Sequence, residues 1–170
     1  MTVLLGRYCR RIQTIRREKR RTGKKDMQTQ KWIEYIYSFK VRFSDTDAYG
    51  VVHHSRYYCY FEEARYEFTN QYLNLFKGYP DANDLKFPVL SSSCEYRHAL
   101  TYNLEDFYVK LKFRILDDCK IAFLYEIRKE GERRVYAKGT TVHAILEHDK
   151  LCLKIPECIN EVVRGSLENE

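Results

Sequence analysis

The chain has 170 residues, of which 44% are hydrophobic and 15% aromatic, so its length and composition predict one folded domain and exclude global disorder. The net charge of +6 comes from residues 1–26, which hold ten of the 30 basic and two of the 24 acidic residues. Residues 27–170 therefore hold 20 basic and 22 acidic residues, and this balance argues against a nucleic-acid partner.

No apolar run approaches the about 18 residues of a membrane span, so stable membrane insertion is not expected. None of the six cysteines forms a CxxC pair, and most lie in apolar-patterned segments. We expect reduced thiols in an intracellular protein, and a cytoplasmic location. The six are Cys9, Cys59, Cys94, Cys119, Cys152 and Cys158.

Residues 1–30 are predicted to be a basic tail outside a domain that spans residues 31–170. Three interpretations of the tail remain open. It is an organelle transit peptide, which would place the protein in an organelle matrix; it is an arm that contacts membrane or RNA; or Met27 is the natural start, because MQTQKW resembles an ordinary N-terminus directly before the first strand.

Apolar residues alternate over residues 33–43, which predicts a half-buried strand. From about Ser55 they recur at helical spacing for roughly five turns, and Gly78 with Pro80 supplies the stop. Pro156 is expected to open a short C-terminal helix. One long helix followed by an antiparallel meander predicts an α+β architecture. The further predicted strands are residues 87–100, 107–115, 121–127, 135–147 and 151–155.

The segment SDTDAYGVVHHS lies between the first strand and the long helix. One interpretation is a turn, in which aspartate side chains bind local amides and Gly50 adopts an unusual torsion. A second is a metal site, although nothing in the spacing sets the geometry of its ligands. The four side chains concerned are Asp45, Asp47, His53 and His54.

The third interpretation uses the N-terminus of the helix. The first N–H groups of a helix lack intrahelical acceptors and carry the positive end of its dipole. They could stabilise the oxyanion that develops on an acyl carbonyl, while a loop carboxylate such as Asp47 attacks the carbonyl or activates water. This interpretation predicts acyl transfer to water.

The run DTDAYGVVHHSRYYCYFEEAR resembles the signature of hotdog-fold acyl-CoA thioesterases of the 4-hydroxybenzoyl-CoA thioesterase family. It is most similar to the branch found beside the bacterial Tol-Pal genes. His53 replaces the usual aromatic residue of that signature. The similarity spans residues 33–156, including FPVLSSSCEYRHAL and AKGTTVHAILEHDKLCLKIP.

The resemblance implies a hotdog fold, in which a five- to six-stranded antiparallel sheet wraps the long helix, and an acyl-CoA substrate, with an acyl-carrier-protein thioester as the alternative. It implies Asp47 as nucleophile or general base and His54 at the thioester carbonyl. It also implies a homodimer or homotetramer with active sites at the subunit interface, and no metal or cofactor. The expected substrate-binding residues are Gly50, Val51, Tyr57 and Ser91.

The remaining polar residues are interpreted as structural. Ser91 and its two serine neighbours could orient water or simply form a polar strand face, and Glu62 with Arg65 form an i, i+3 pair. Lys110, Lys112 and Arg114 could meet CoA phosphates or form a solvated face, and His98, His143 and His148 show no site-like spacing. Two rival functions remain, a hotdog hydratase or dehydratase and an acyl-CoA-binding protein without turnover.

Overall fold

A computed structural model describes residues 32–73 and 85–168 of the chain. The predicted tail, and the helix stop predicted at Gly78 and Pro80, lie outside the described residues. Two helices and eight strands follow one another in the described part of the chain. They are β1 (Ile33–Lys40), α1 (Arg56–Leu73), β2 (Leu85–Lys86), β3 (Val89–Tyr96), β4 (Asp106–Asp117), β5 (Lys120–Lys129), β6 (Val135–Ala144), β7 (Leu146–Glu147), β8 (Lys150–Leu151) and α2 (Glu157–Glu168).

Five strands form one antiparallel sheet in the order β1-β4-β5-β6-β3. Strand β4 shows the predicted alternation, because Phe107, Val109, Leu111, Phe113 and Ile115 are buried and the residues between them are partly exposed. One side of the sheet thus contributes an apolar layer to the core. Among the described residues, β1 and β3 form the two edges of this sheet, and edge strands are where a partner strand can pair.

Helix α1 has 18 residues, which confirms the predicted length of five turns. The aromatic residues of α1 pack on the apolar layer: Phe68 lies 5.2 Å from Phe113, and Phe61 stacks on Tyr125 at 4.6 Å. A Cβ at Gly139 of β6 would lie 2.7 Å from Cζ of Phe61, so this close approach of helix and sheet requires glycine. The architecture is α+β with a hotdog fold, as predicted.

The segments around β3 and after β6 differ from the predicted strands. β3 is shorter than the predicted residues 87–100, and β8 covers only two residues where residues 151–155 were predicted to form a strand. His148 and Asp149 adopt positive φ values of 48° and 60°, which produces a tight turn and a small separate sheet of β2, β7 and β8. The predicted helix after Pro156 is confirmed as α2.

Candidate active site

The loop between β1 and α1 closes on itself. A short 3-10 helix, Phe43–Asp45, is followed by a β-bridge between Thr46 and Val52. The Asp47 N–H donates to the Val51 carbonyl at 2.9 Å, and the Gly50 N–H donates to the Asp47 carbonyl at the same distance. Gly50 has φ +73°, so the unusual torsion that the sequence predicted at this glycine is confirmed.

The two aspartates of the loop have different surroundings. Asp45 is 3% exposed, and both of its carboxylate oxygens accept hydrogen bonds. Oδ1 accepts from Nε of Arg56 at 2.9 Å, and Oδ2 accepts from the Tyr60 hydroxyl at 2.8 Å. Asp45 is thus buried with a side-chain donor on each oxygen, so a substrate reaches it less readily than the half-buried Asp47.

Asp47 is half-buried, and only one of its oxygens is held by the chain. Oδ1 accepts from the Tyr49 N–H at 2.8 Å, which orients the carboxylate within the loop. Among the described residues, no donor binds Oδ2. Asp47 therefore combines a defined orientation with an oxygen that can accept a proton or attack a carbonyl.

The N-terminus of α1 follows the loop directly. The Arg56 N–H donates to the His53 carbonyl at 2.9 Å, and the Ser55 N–H points at Nδ1 of His53 at 3.4 Å. These contacts occupy two of the amides that the sequence predicted as orphan donors. In the described part of the chain, the amides of His54 and Tyr57 remain without an acceptor, so they are the candidate donors for a developing oxyanion.

Residues 41–163 match the Thioesterase-like superfamily. The matched range is more than half of the chain, and it includes the loop, α1 and strands β2 to β8. The chain belongs to this family of thioester hydrolases.

Relatives of the thioesterase support the assignment. A protein of Aquifex aeolicus (strain VF5) described as "Putative esterase" is 36% identical over 136 residues, which are 78% of this chain and 99% of the relative. A hypothetical protein of Thermus thermophilus has a crystal structure that superimposes with a TM-score of 0.66 at 29% identity, covering 76% of this chain and 97% of that one. A gentisyl-coenzyme A thioesterase superimposes with a TM-score of 0.63 at 24% identity, covering 76% and 99%, which supports the fold alone.

The predicted catalytic histidine of the thioesterase lies at the surface. The His54 ring is exposed and lies 4.1 Å from the His53 ring, centroid to centroid. The His54 main-chain carbonyl accepts a hydrogen bond from the Tyr96 hydroxyl at 3.1 Å, which ties the segment before α1 to β3. Asp47 and His54 thus lie on one closed loop, with the ring of His54 accessible to a ligand.

The predicted substrate-binding residues lie in different places. Val51 is half-buried and forms a β-bridge with Thr101. The Tyr57 side chain is buried, and its hydroxyl accepts from the Leu100 N–H at 3.4 Å, so only its main chain faces the helix N-terminus. Ser91 is exposed on the edge strand β3, where a partner subunit could reach it.

The basic strand face of the thioesterase has acidic and aromatic partners. Lys110 and Lys112 bind the Glu34 carboxylate at 2.7 Å and 2.6 Å, and the Arg114 guanidinium lies 4.5 Å from the centre of the Trp32 ring. These contacts favour the structural interpretation of this face, and binding of CoA phosphates stays a prediction. The i, i+3 pair of Glu62 and Arg65 is confirmed, at 3.7 Å.

A buried network of hydrogen bonds joins α1 to the sheet through His143, and the spacing of the residues in the sequence does not predict it. His143 is fully buried, and its Nδ1 donates to the Phe87 carbonyl at 2.8 Å, because a carbonyl only accepts. Nε2 of the neutral ring then accepts from the Thr141 hydroxyl, whose oxygen accepts from Tyr125, and the Tyr125 oxygen accepts from Arg65. Burial lowers the pKa of His143 to about 4, which keeps the ring neutral.

Three features of the described residues bear on whether the chain has a metal site, a disulfide or a membrane-spanning helix. In residues 32–73 and 85–168, no group of three or more His, Cys, Asp or Glu side chains could hold a metal ion. The five cysteines of the described residues form no disulfide with one another. Neither described helix is long and apolar enough to cross a membrane.

Proposed function

We propose that this thioesterase hydrolyses acyl-CoA to a free acid and CoA, with Asp47 as the nucleophile or general base. The observation that carries the proposal is the Asp47 carboxylate, which is oriented through Oδ1 while Oδ2 has no donor in the described part of the chain. Membership of the Thioesterase-like superfamily supports acyl-CoA as the substrate class. Structural neighbours of the same fold are named for CoA thioesters of aromatic acids, gentisyl-CoA and 1,4-dihydroxy-2-naphthoyl-CoA.

The proposed reaction needs a carbonyl between Asp47 and the first turn of α1. The amides of His54 and Tyr57 would polarise the thioester oxygen, and the positive end of the α1 dipole would stabilise the negative charge that develops on it. In one route Asp47 attacks the carbonyl carbon and displaces the thiolate, and water then hydrolyses the acyl-enzyme anhydride to the free acid and regenerates the carboxylate. In the other, Asp47 removes a proton from a water that attacks the carbonyl carbon, and the C–S bond breaks to release the thiolate and the free acid. The exposed His54 ring is available to assist the leaving thiol or the water.

The proposal includes assembly as a homodimer or homotetramer with the active sites at the interface. Two exposed aromatic side chains flank Asp47 on the loop, Phe43 at 75% and Tyr49 at 90% exposure, and large apolar groups in this position suit cover by a second subunit. The edge strand β3, which carries Ser91, offers unpaired main-chain groups to a partner strand. Sedimentation that shows a fully active monomer would contradict an interfacial site.

The test compares Asp47→Asn with Asp45→Asn in an assay of thiol release from a panel of acyl-CoA substrates. Asp47→Asn should lower the rate about 10²–10⁴-fold, the usual cost of losing a general base, while circular dichroism and melting temperature stay unchanged. Asp45→Asn should cost far less turnover, because Asp45 is buried and each of its oxygens already binds a side-chain donor. Equal losses in the two variants would contradict the roles, and water addition to an enoyl-CoA without thiol release would indicate a hydratase instead.

A further inference from the structure

Asp45 makes three bonds that join the start of the loop to the start of α1. Its Oδ1 binds Nε of Arg56, the first residue of the helix, at 2.9 Å, and its Oδ2 binds the hydroxyl of Tyr60, one turn later, at 2.8 Å. Its main-chain carbonyl accepts from the His53 N–H at 2.9 Å. One buried residue thus binds two successive turns of α1 and His53, which lies three residues before the helix.

These contacts surround the proposed reaction centre. Asp47 follows Asp45 by two residues, and the loop that carries it is closed by the Thr46–Val52 bridge. The candidate oxyanion donors, the amides of His54 and Tyr57, lie on the helix side of the same contacts. The position of the attacking carboxylate relative to the donors therefore depends on how Asp45 joins loop to helix.

Tyr60 extends this connection to the sheet. Its ring is buried and stacks on Phe39 of β1 at 4.2 Å between centroids. Burial, together with the Asp45 carboxylate, raises the pKa of the Tyr60 hydroxyl, so the hydroxyl remains a donor to Oδ2. The ring stack and the hydroxyl bond are separable, because phenylalanine at this position would keep the ring and lose only the hydroxyl.

We propose that Asp45 is a positioning residue for thioester hydrolysis, which acts through Arg56 and Tyr60 to hold the Asp47 loop at its working distance from the N-terminus of α1. This inference rests on the function proposed above. It predicts an effect on turnover rather than on substrate binding, because Asp45 is buried and its carboxylate binds Arg56 and Tyr60. Small misplacements of a reacting group are costly in rate, since catalysis depends on a near-attack geometry.

The experiment measures kcat, KM and melting temperature for Tyr60→Phe and Asp45→Asn. The matched control is Tyr136→Phe, which also deletes a buried tyrosine's hydroxyl bond to a carboxylate, that of Glu132 at 3.2 Å, but far along the chain from the loop. We expect kcat to fall about tenfold in the first two variants with KM within about twofold. The control should keep the kcat of the parent protein, measured well below every melting temperature.

Two further measurements distinguish positioning from general loss of structure. In the double variant Asp45→Asn with Tyr60→Phe, the combined loss of kcat should be smaller than the product of the single losses, because both changes remove the same contact. Arg56→Lys should retain more kcat than Arg56→Met, because lysine keeps a positive donor near Oδ1. Equal kcat in these two Arg56 variants would argue against positioning.

The outcomes separate this inference from the proposed function. If Asp47→Asn abolishes turnover while Tyr60→Phe and Asp45→Asn match the Tyr136→Phe control, Asp45 is structural only and the inference is wrong. If Asp47→Asn retains full turnover, the proposed role of Asp47 is wrong, and the inference about Asp45 is wrong with it. Should Asp45→Asn not fold, Tyr60→Phe still decides the matter, because it preserves the ring stack on Phe39.

Discussion

Three polar side chains of the sheet, Glu34, Glu126 and His143, are more completely paired than Asp47 of the loop before α1. On the outer face of the sheet, Glu34 binds two lysines, and Glu126 binds Arg128 and Lys138 at 2.6 Å and 3.0 Å. On the buried face of the sheet, both ring nitrogens of His143 form hydrogen bonds. In the loop, by contrast, Asp47 keeps one carboxylate oxygen without a donor from the described residues.

This difference predicts which polar groups contribute to the stability of the fold and which contribute to catalysis. A buried or strand-bound polar group gains most when its partners are all present, because an unsatisfied group costs free energy. A reactive group must instead keep a lone pair for the substrate. We therefore expect changes in the sheet to alter the free energy of unfolding without altering turnover, and changes at Asp47 to do the reverse.

The largest expected effect in the sheet is that of Thr141→Val. The Thr141 hydroxyl donates to His143 and accepts from Tyr125, so its loss leaves two buried groups unsatisfied and should cost roughly 2–5 kcal/mol of unfolding free energy. Chemical denaturation measures the change, and thiol release per folded site should stay constant. Thr140→Val, on the half-exposed side of the same strand, is the control and should change little. Equal effects of the two variants would contradict a cooperative network.

The second prediction concerns pH. The pKa of His143 is lowered from 6.5 to about 4, mainly by burial, so the unfolded chain binds more protons than the folded protein between these values. Stability from this group is complete above about pH 6.5 and falls as the pH drops toward 4, by up to about 1.4 kcal/mol per unit. Denaturation across this range should show a flatter profile for His143→Asn than for the parent chain. Parallel profiles would contradict the assignment.

A smaller effect is expected for Glu34→Gln on the outer face. Lys110 and then Lys112 lower the pKa of Glu34 through their hydrogen bonds, but the pair is partly exposed and exposed ion pairs contribute only about 0–1 kcal/mol. Urea denaturation should detect a small loss that shrinks as salt increases. A large loss of thiol-release activity in this variant would show that the face takes part in substrate binding.

The smallest effect is expected for a chain that starts at Met27. Nothing in the proposed mechanism uses the ten basic residues of the tail, so the melting temperature and the rate per site should be unchanged. A basic arm could still attract CoA phosphates at long range and lower the apparent KM, and this effect should fade at high salt. A tenfold loss of turnover that persists at high salt would place the tail within the active domain.

Much of the fold was predictable because it depends on local periodicity. The alternation over β4 and the helical spacing of Tyr57, Phe61, Ala64 and Phe68 both appear in the sequence and in the burial of the structure. The short β8 was not predicted, because its length depends on a turn with two non-glycine residues at positive φ. His and Asp adopt positive φ more often than most residues, but most His-Asp pairs do not, so the sequence alone does not fix this turn.

The sequence by itself determined the order of strands and helices, the glycine torsion in the loop and the short list of candidate acids, because each follows from residues close together in the chain. The family resemblance in the sequence already predicted Asp47 as the reactive acid, and the tertiary structure added the physical difference between Asp45 and Asp47. The partners that occupy Asp45 are 11 and 15 residues away and reach it only when α1 packs beside the loop. The same holds for Tyr57, whose hydroxyl is taken by an amide 43 residues away, since the availability of a polar group depends on neighbours brought together by folding.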